Sequence, residues 1–412
     1  MATVLGAGRH HDESAFPVRR DVGRRERRRR GDISCPDCAC REAPMTVTED
    51  KPTQLDNTPE ARYGYVHGLD GLRLLAVLIV IVRHYELVMI LPGGFGVSIF
   101  FFISGFLITR LLLAEEHRFQ RPIAIKSFYI RRFIRLLPPL LLMGVIAVPA
   151  LYYFYPEDFS PAQIAMSFTY LGNITKYGAM AWGWREGYPA IEPLWSLAVE
   201  EHFYLLLPAA LLLFRTPRSR VIMMSVAVVV PLIIRVWYYE VAPVALADQF
   251  NYHFTFTRLD SIGFGVLLTL LLDAGWLRIP SRRFVGHLLV FGGGLLMLAS
   301  MVHWSQAYEI AWKYSFQSLA IGIFFVGVIF APNYRWLRRL LERKPIAHLG
   351  KISYEMYLWH LPILAVLVAV LPNRALAIPI ALVATVLISD GAYRLTTKRL
   401  SGLRRRFGGH PV

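Results

Sequence analysis

Residues 68–91 read GLDGLRLLAVLIVIVRHYELVMIL, an apolar run long enough to cross a bilayer as a helix, with Arg73 and His84 among the ionisable residues inside it. An ionisable side chain in such a run is costly enough to point to function. Arg73 and His84 stand eleven residues apart, close to three helical turns, so both project from one face of the helix. At ~1.5 Å rise per residue they lie about 16 Å apart along its axis. One face therefore carries a fixed cation near one membrane surface and a titratable imidazole deeper in.

The rest of the chain repeats the apolar pattern. Its 412 residues are 55% apolar, with a mean hydropathy of +0.41, values of a polytopic membrane protein rather than a soluble enzyme. Apolar runs recur at 69–91, 95–114, 136–155, 194–214, 221–241, 254–272, 284–302, 314–331, 352–371 and 376–393. They predict an all-α integral membrane protein of about ten transmembrane helices. The stretch 160–176 is shorter and more mixed, and reads as interfacial.

The net charge of +16 is placed by topology and not for nucleic acid. Arg and Lys cluster after every second span, as in Arg118 to Arg135 after the second, Arg335 to Lys351 after the eighth and Arg394 to Arg406 after the tenth. The intervening connections hold only Lys176, Arg185, Lys313 and Arg374. The positive-inside rule then puts both termini in the cytoplasm.

Residues 1–62 lack apolar periodicity and carry the Arg24 to Arg30 cluster, so they are expected to form a disordered basic cytoplasmic arm. Met45 is a second candidate start, with residues 1–44 upstream of it. Residues 63–393 read as one polytopic domain and 394–412 as a basic cytoplasmic tail. The three cysteines, Cys35, Cys38 and Cys40, have CxxCxC spacing without an evident fourth ligand, so no metal site is expected. The spans themselves contain no thiol to carry a thioester intermediate.

Several clusters carry candidate chemistry. GGFGVSIFFFISGFLI (93–108) opens the second span with glycines suited to close helix packing and places Ser104 beside Gly105. FYIRRFIRLLPP (128–139) presents Arg131 and Arg135 on one helical face with Arg132 beside it, and its prolines mark the junction with span three. A basic loop is ordinarily a membrane-surface anchor. Arginine at all three positions points also to phosphate, which the guanidinium fork binds in bidentate fashion. PLWSLAVEEHFYLLLP (193–208) puts Glu200, Glu201 and His202 in an apolar helix, where adjacent positions diverge by about 100°, so the two carboxylates are not expected to share one partner. Arg258 and Asp260 begin span six, set to pair with charges on other helices, and span nine carries Glu355, Tyr357 and His360. A lone histidine such as His360 is more often a packing residue than a catalyst.

Taken in order, GLDGLRLLAVLIVIVRHY, GGFGVSIFFFISGFLI, FYIRRFIRLLPP, PLWSLAVEEHFY, RLDSIGFG and GKISYEMYLWHLP closely resemble the type 3 membrane acyltransferases, the O-antigen acetylase-like enzymes that acylate sugar hydroxyls. His202 stands where the family usually has glutamine, and Glu355 where it often has a small residue. The resemblance makes 63–393 an acyltransferase domain in the plasma membrane that uses an acyl-coenzyme A donor. Its acceptors are hydroxyls of envelope glycans, glycolipids or metabolite-linked sugars. It implies essential roles for Arg73 and His84, and importance for Arg131, Arg132 and Arg135 as candidate donor-binding groups, with Ser104 beside them. His84 is then the candidate general base, with an acyl-histidine intermediate as the competing mechanism and Glu200, or as second choice Glu201, expected to orient or stabilise the imidazole. A transporter or flippase of an amphipathic substrate is the alternative, since buried charges also mark translocation paths.

Overall fold

The computed structural model describes residues 65–88, 92–120 and 122–407. The expected arm at 1–62 and the three cysteines lie outside them. The described residues are helical, with α1 Leu69–His84, α2 Gly93–Phe119, α3 Ile125–Phe154, α4 Trp195–Leu213, α5 Pro217–Val241, α6 Thr255–Asp273, α7 Arg283–Ala299, α8 Lys313–Phe330, α9 Ser353–Val370 and α10 Arg374–Tyr393. Each falls on one of the expected spans. Eight are long and apolar enough to cross a membrane, counted with the helical turns that extend α4, α8 and α10. The other two, α1 and α7, have 16 and 17 residues. At ~1.5 Å per residue α1 is about 24 Å long, short of a hydrocarbon core of about 30 Å. It ends at His84 because the chain turns at Tyr85 and Glu86, where φ is +58° at Glu86.

The lipid-facing surface is visible in what the helices leave uncovered. Val145, Leu213 and Phe284 are 74%, 76% and 77% exposed, an apolar surface that water would not tolerate over whole helices and that a bilayer requires. These helices define a multi-pass integral membrane protein.

Three features position the site. First, α2 packs tightly on both α1 and α6. A Cβ on Gly105 would lie 2.1 Å from the Ile262 carbonyl oxygen, and one on Gly265 2.0 Å from that of Phe102. The glycines at this crossing serve close helix approach. Second, α5 and α6 are joined by a fully buried ion pair. Asp260 accepts from Arg235 Nη2 at 2.8 Å and from Ser315 at 2.5 Å. Third, α3 runs unbroken from Ile125 through Pro138, Pro139 and Pro149. The proline pair does not separate the basic segment from span three as expected. Pro lacks only one donor per residue, and neighbouring helices hold the backbone in line. The arginines are thus part of the spanning helix itself. The segment 160–176 forms short helices, including Pro161–Phe168, and Ser401–Arg405 packs on α3.

Candidate active site

Two cavities lie along α1. The first is lined by Arg73 from α1, Ser104 from α2, Arg132 and Arg135 from α3, and Glu200 and Tyr204 from α4. Glu200 accepts hydrogen bonds from the Ser104 and Tyr204 hydroxyls. The Arg132 guanidinium lies 3.3 Å from the Tyr204 ring centroid. It donates to Glu201 at 3.1 Å and comes within 3.9 Å of Glu200. One guanidinium therefore reaches both carboxylates. The divergence of adjacent helical positions, expected to prevent a shared partner, is spanned by the length of the arginine and its stacking across Tyr204. Arg73 and Arg135 form no hydrogen bond or ion pair with any described residue, and both face the cavity. An unpaired cation in a half-buried cavity is a ready anion receptor.

The second cavity is lined by His84, Glu192, Trp195, Tyr252, His253 and Tyr357. Tyr357 and Val97 line both cavities and form the wall between them. The Tyr357 hydroxyl is 2.7 Å from the Pro193 carbonyl, to which it donates, and 2.7 Å from Ser196 Oγ. His84 ends α1 at this second cavity, with its Nδ1 2.8 Å from His360 Nε2 on α9. The neighbouring Tyr85 hydroxyl bonds the His360 carbonyl at 2.9 Å and Thr385 at 2.9 Å, fixing the end of α1 on α9 and α10.

The structure thus brings Arg73, Ser104, Arg132, Arg135 and Glu200 to one cavity and His84 to the next. Two expected roles do not fit these positions. Glu200 lies in the arginine cavity and makes no hydrogen bond to His84. Arg131 turns away, donating to Glu115 at 2.6 Å and to the Phe407 carbonyl at 2.8 Å. His360, which sequence reasoning set aside as packing, is the imidazole's partner. The signal was present only in its motif, because 276 residues separate the two histidines. His202 and Arg258 are occupied otherwise. His202 Nδ1 is 2.7 Å from Thr255 Oγ1, and the buried Arg258 lies over the Tyr314 ring at 3.9 Å. Among the described residues no group of three or more His, Cys, Asp or Glu is arranged to hold a metal ion.

A many-helix membrane protein with a cationic cavity abutting a histidine-lined one has the form of a membrane-embedded transferase. Comparison with known families agrees: a family profile described as an acyltransferase domain matches residues 66–394. The chain belongs to this acyltransferase family. It is 30% identical over 366 residues to the peptidoglycan O-acetyltransferase OatA of Listeria monocytogenes, covering 84% of this chain and 57% of that protein. It is 31% identical over 313 residues to the O-acetyltransferase OatA of Staphylococcus aureus, covering 73% of this chain and 51% of that protein. The chain therefore spans little more than half the length of these relatives. No solved structure matches it.

Proposed function

We propose that this protein moves an acyl group from acyl-coenzyme A to a hydroxyl of a carbohydrate-containing acceptor in the cell envelope. The observation that carries the proposal is the pairing of the cavities. Arg73 and Arg135, which make no hydrogen bond or ion pair with a described residue, face one cavity, His84 faces the other, and Tyr357 lines both. In this reading the guanidiniums, with Arg132, hold the donor's phosphates, and its thioester arm reaches past Tyr357 toward His84. Trp195 and Tyr252 offer aromatic faces to a sugar, and Glu192 a hydrogen-bond acceptor for its hydroxyls.

His84 acts as the general base. As the acceptor oxygen bonds to the acyl carbon, its proton passes to the imidazole; the carbon–sulfur bond then breaks, and the departing thiolate takes that proton back. A positioned base of this kind contributes ~10²–10⁴-fold. The names of the relatives support acetyl as the group carried and a glycan as the acceptor. The distribution of positive charge supports a cytoplasmic mouth for the arginine cavity.

The test is acyl transfer from radiolabelled acetyl-coenzyme A in membranes holding wild-type protein or His84→Ala, with glycans and lipids extracted and separated. A labelled ester formed only by wild type is expected. An equal yield from a correctly inserted His84→Ala protein removes His84 from the reaction. Substrate flux without a new ester transfers the assignment to a transporter.

A further inference from the structure

The two histidines determine each other's protons. His360 Nδ1 lies 2.7 Å from the Tyr357 backbone carbonyl. A carbonyl oxygen only accepts, so the proton of His360 is on Nδ1 and, in the neutral ring, Nε2 carries a lone pair. That nitrogen lies 2.8 Å from His84 Nδ1, so for the neutral pair the bond is possible only if His84 Nδ1 donates. The ring planes are within 7° of parallel, which lets the N–H lie close to the plane of the accepting ring. The proton of His84 is then committed to Nδ1, and its own Nε2 is left bare. On that side stands Gly93, where even an added Cβ would remain 4.0 Å from Nε2, and Gly93 and His84 both line the second cavity.

We infer that His360 is a positioning residue that fixes His84 as the Nδ1–H tautomer and so presents a basic Nε2 to the cavity. The inference rests on the role proposed for His84 and adds what makes that role possible, since a histidine's tautomer is set by the bond its other nitrogen makes. The usual orienting group for a catalytic imidazole is a carboxylate. Here a second imidazole does the work, anchored to a main-chain carbonyl on its own helix. One further contact and burial hold the geometry. Tyr85 bonds the His360 carbonyl at 2.9 Å, and His360 is itself only 1% exposed. Glu200, the carboxylate expected for this task, bonds Ser104 and Tyr204 in the neighbouring cavity instead.

The experiment uses full-length protein labelled with ¹⁵N-histidine in lipid bilayers at pH 8, read by solid-state NMR. His84 is assigned by the signals lost in His84→Ala. In wild type, His84 is expected with Nδ1 protonated and Nε2 bare. His360→Gln keeps an acceptor at the position of Nε2, so it should preserve that tautomer and keep transfer within about tenfold of wild type. His360→Leu removes the acceptor. The Nε2–H form should then appear, and transfer should fall by about 10²-fold or more, within the range a general base supplies. A wild-type His84 found protonated on Nε2 overturns the inference, and this result needs no variant to fold. So does an unchanged tautomer in a folded His360→Leu protein. The NMR readout is independent of turnover. A tautomer switch in a protein whose wild type transfers no acyl group upholds the inference and refutes the transferase reading.

Discussion

The three arginines of residues 131–135 look equivalent in sequence and are not equivalent in structure, which gives a sharp test of the proposed donor cavity. Arg135 faces the cavity with no hydrogen bond or ion pair to any described residue, so the main effect of Arg135→Gln falls on what the guanidinium does for a ligand. A hydrogen bond to a charged group is worth about 1.5–3 kcal/mol. At about 1.4 kcal/mol per factor of ten, the loss weakens coenzyme A binding by about 10- to 150-fold. Arg131 is committed to Glu115 at 2.6 Å and to the Phe407 carbonyl. Arg131→Gln should therefore lower thermal stability and change affinity by no more than about twofold. Isothermal titration of acetyl-coenzyme A into purified protein in nanodiscs, with each variant's melting temperature as a control, separates the two effects. Equal losses of affinity in both variants, or an Arg135→Gln protein that binds as wild type, would refute the assignment of the arginine cavity to the donor.

The remaining predictions concern the frame that holds the site. Asp260→Asn leaves Arg235 buried without its counter-charge and should cost about 3–5 kcal/mol, read as a fall in unfolding free energy; a change below about 1 kcal/mol would mean that water or another acceptor compensates Arg235. Gly265→Ala drives a Cβ to 2.0 Å from the Phe102 carbonyl oxygen and should cost at least about 1–3 kcal/mol as α2 and α6 are pushed apart. Gly292→Ala meets nothing within 4 Å and should stabilise by up to about 1 kcal/mol, so equal effects at the two sites would contradict the helix crossing. His253, in the connection before α6, is held down to about 4 by burial. Below its ordinary value near 6.5 the unfolded chain binds a proton that the folded chain refuses. Stability should accordingly fall as pH drops from about 6.5 toward 4, and His253→Gln should flatten that limb of a thermal-melt series.

How far the sequence carries can be followed residue by residue. The helices were legible because lipid rewards long apolar runs: each of the ten runs falls on one helix, and eight of these are long and apolar enough to cross a membrane. The length of α1 was not, because its apolar run extends past His84 while the backbone turns at Tyr85 and Glu86. Helical spacing placed Arg131 and Arg135 on one face. It did not tell which face of α3 would turn inward, and packing against α4 and α9 selected Arg132 with Arg135, three apart, which share a face equally well. The partner of His84 was illegible for a different reason. Local periodicity orders residues within a helix but carries no information on the depth at which two distant helices meet. Nothing in the apolar patterns of α1 and α9 sets His84 level with His360 rather than with Glu200 on α4.

The arrangement also explains why the cation and the imidazole share α1. A transferase with a charged, phosphate-bearing donor and a sugar acceptor has to keep the donor's phosphates hydrated or paired while its reactive end enters a drier place. Placing the proposed phosphate-binding and proton-accepting groups on one short, rigid helix fixes the distance between them more firmly than separate loops would. Arg73 opens to the cavity shared with Arg132 and Arg135, whereas His84 opens to the one shared with Trp195 and Tyr252. Between the cavities stands Tyr357, whose hydroxyl is tied to Pro193 and Ser196 on the α4 side and whose backbone carbonyl receives the proton of His360. One residue therefore both separates the proposed donor and acceptor spaces and anchors the histidine pair that would orient the proposed base. On the proposed mechanism, a donor arm that displaces the Tyr357 side chain must do so without disturbing its carbonyl. Rotation about the side-chain bonds allows this while α9 stays in place.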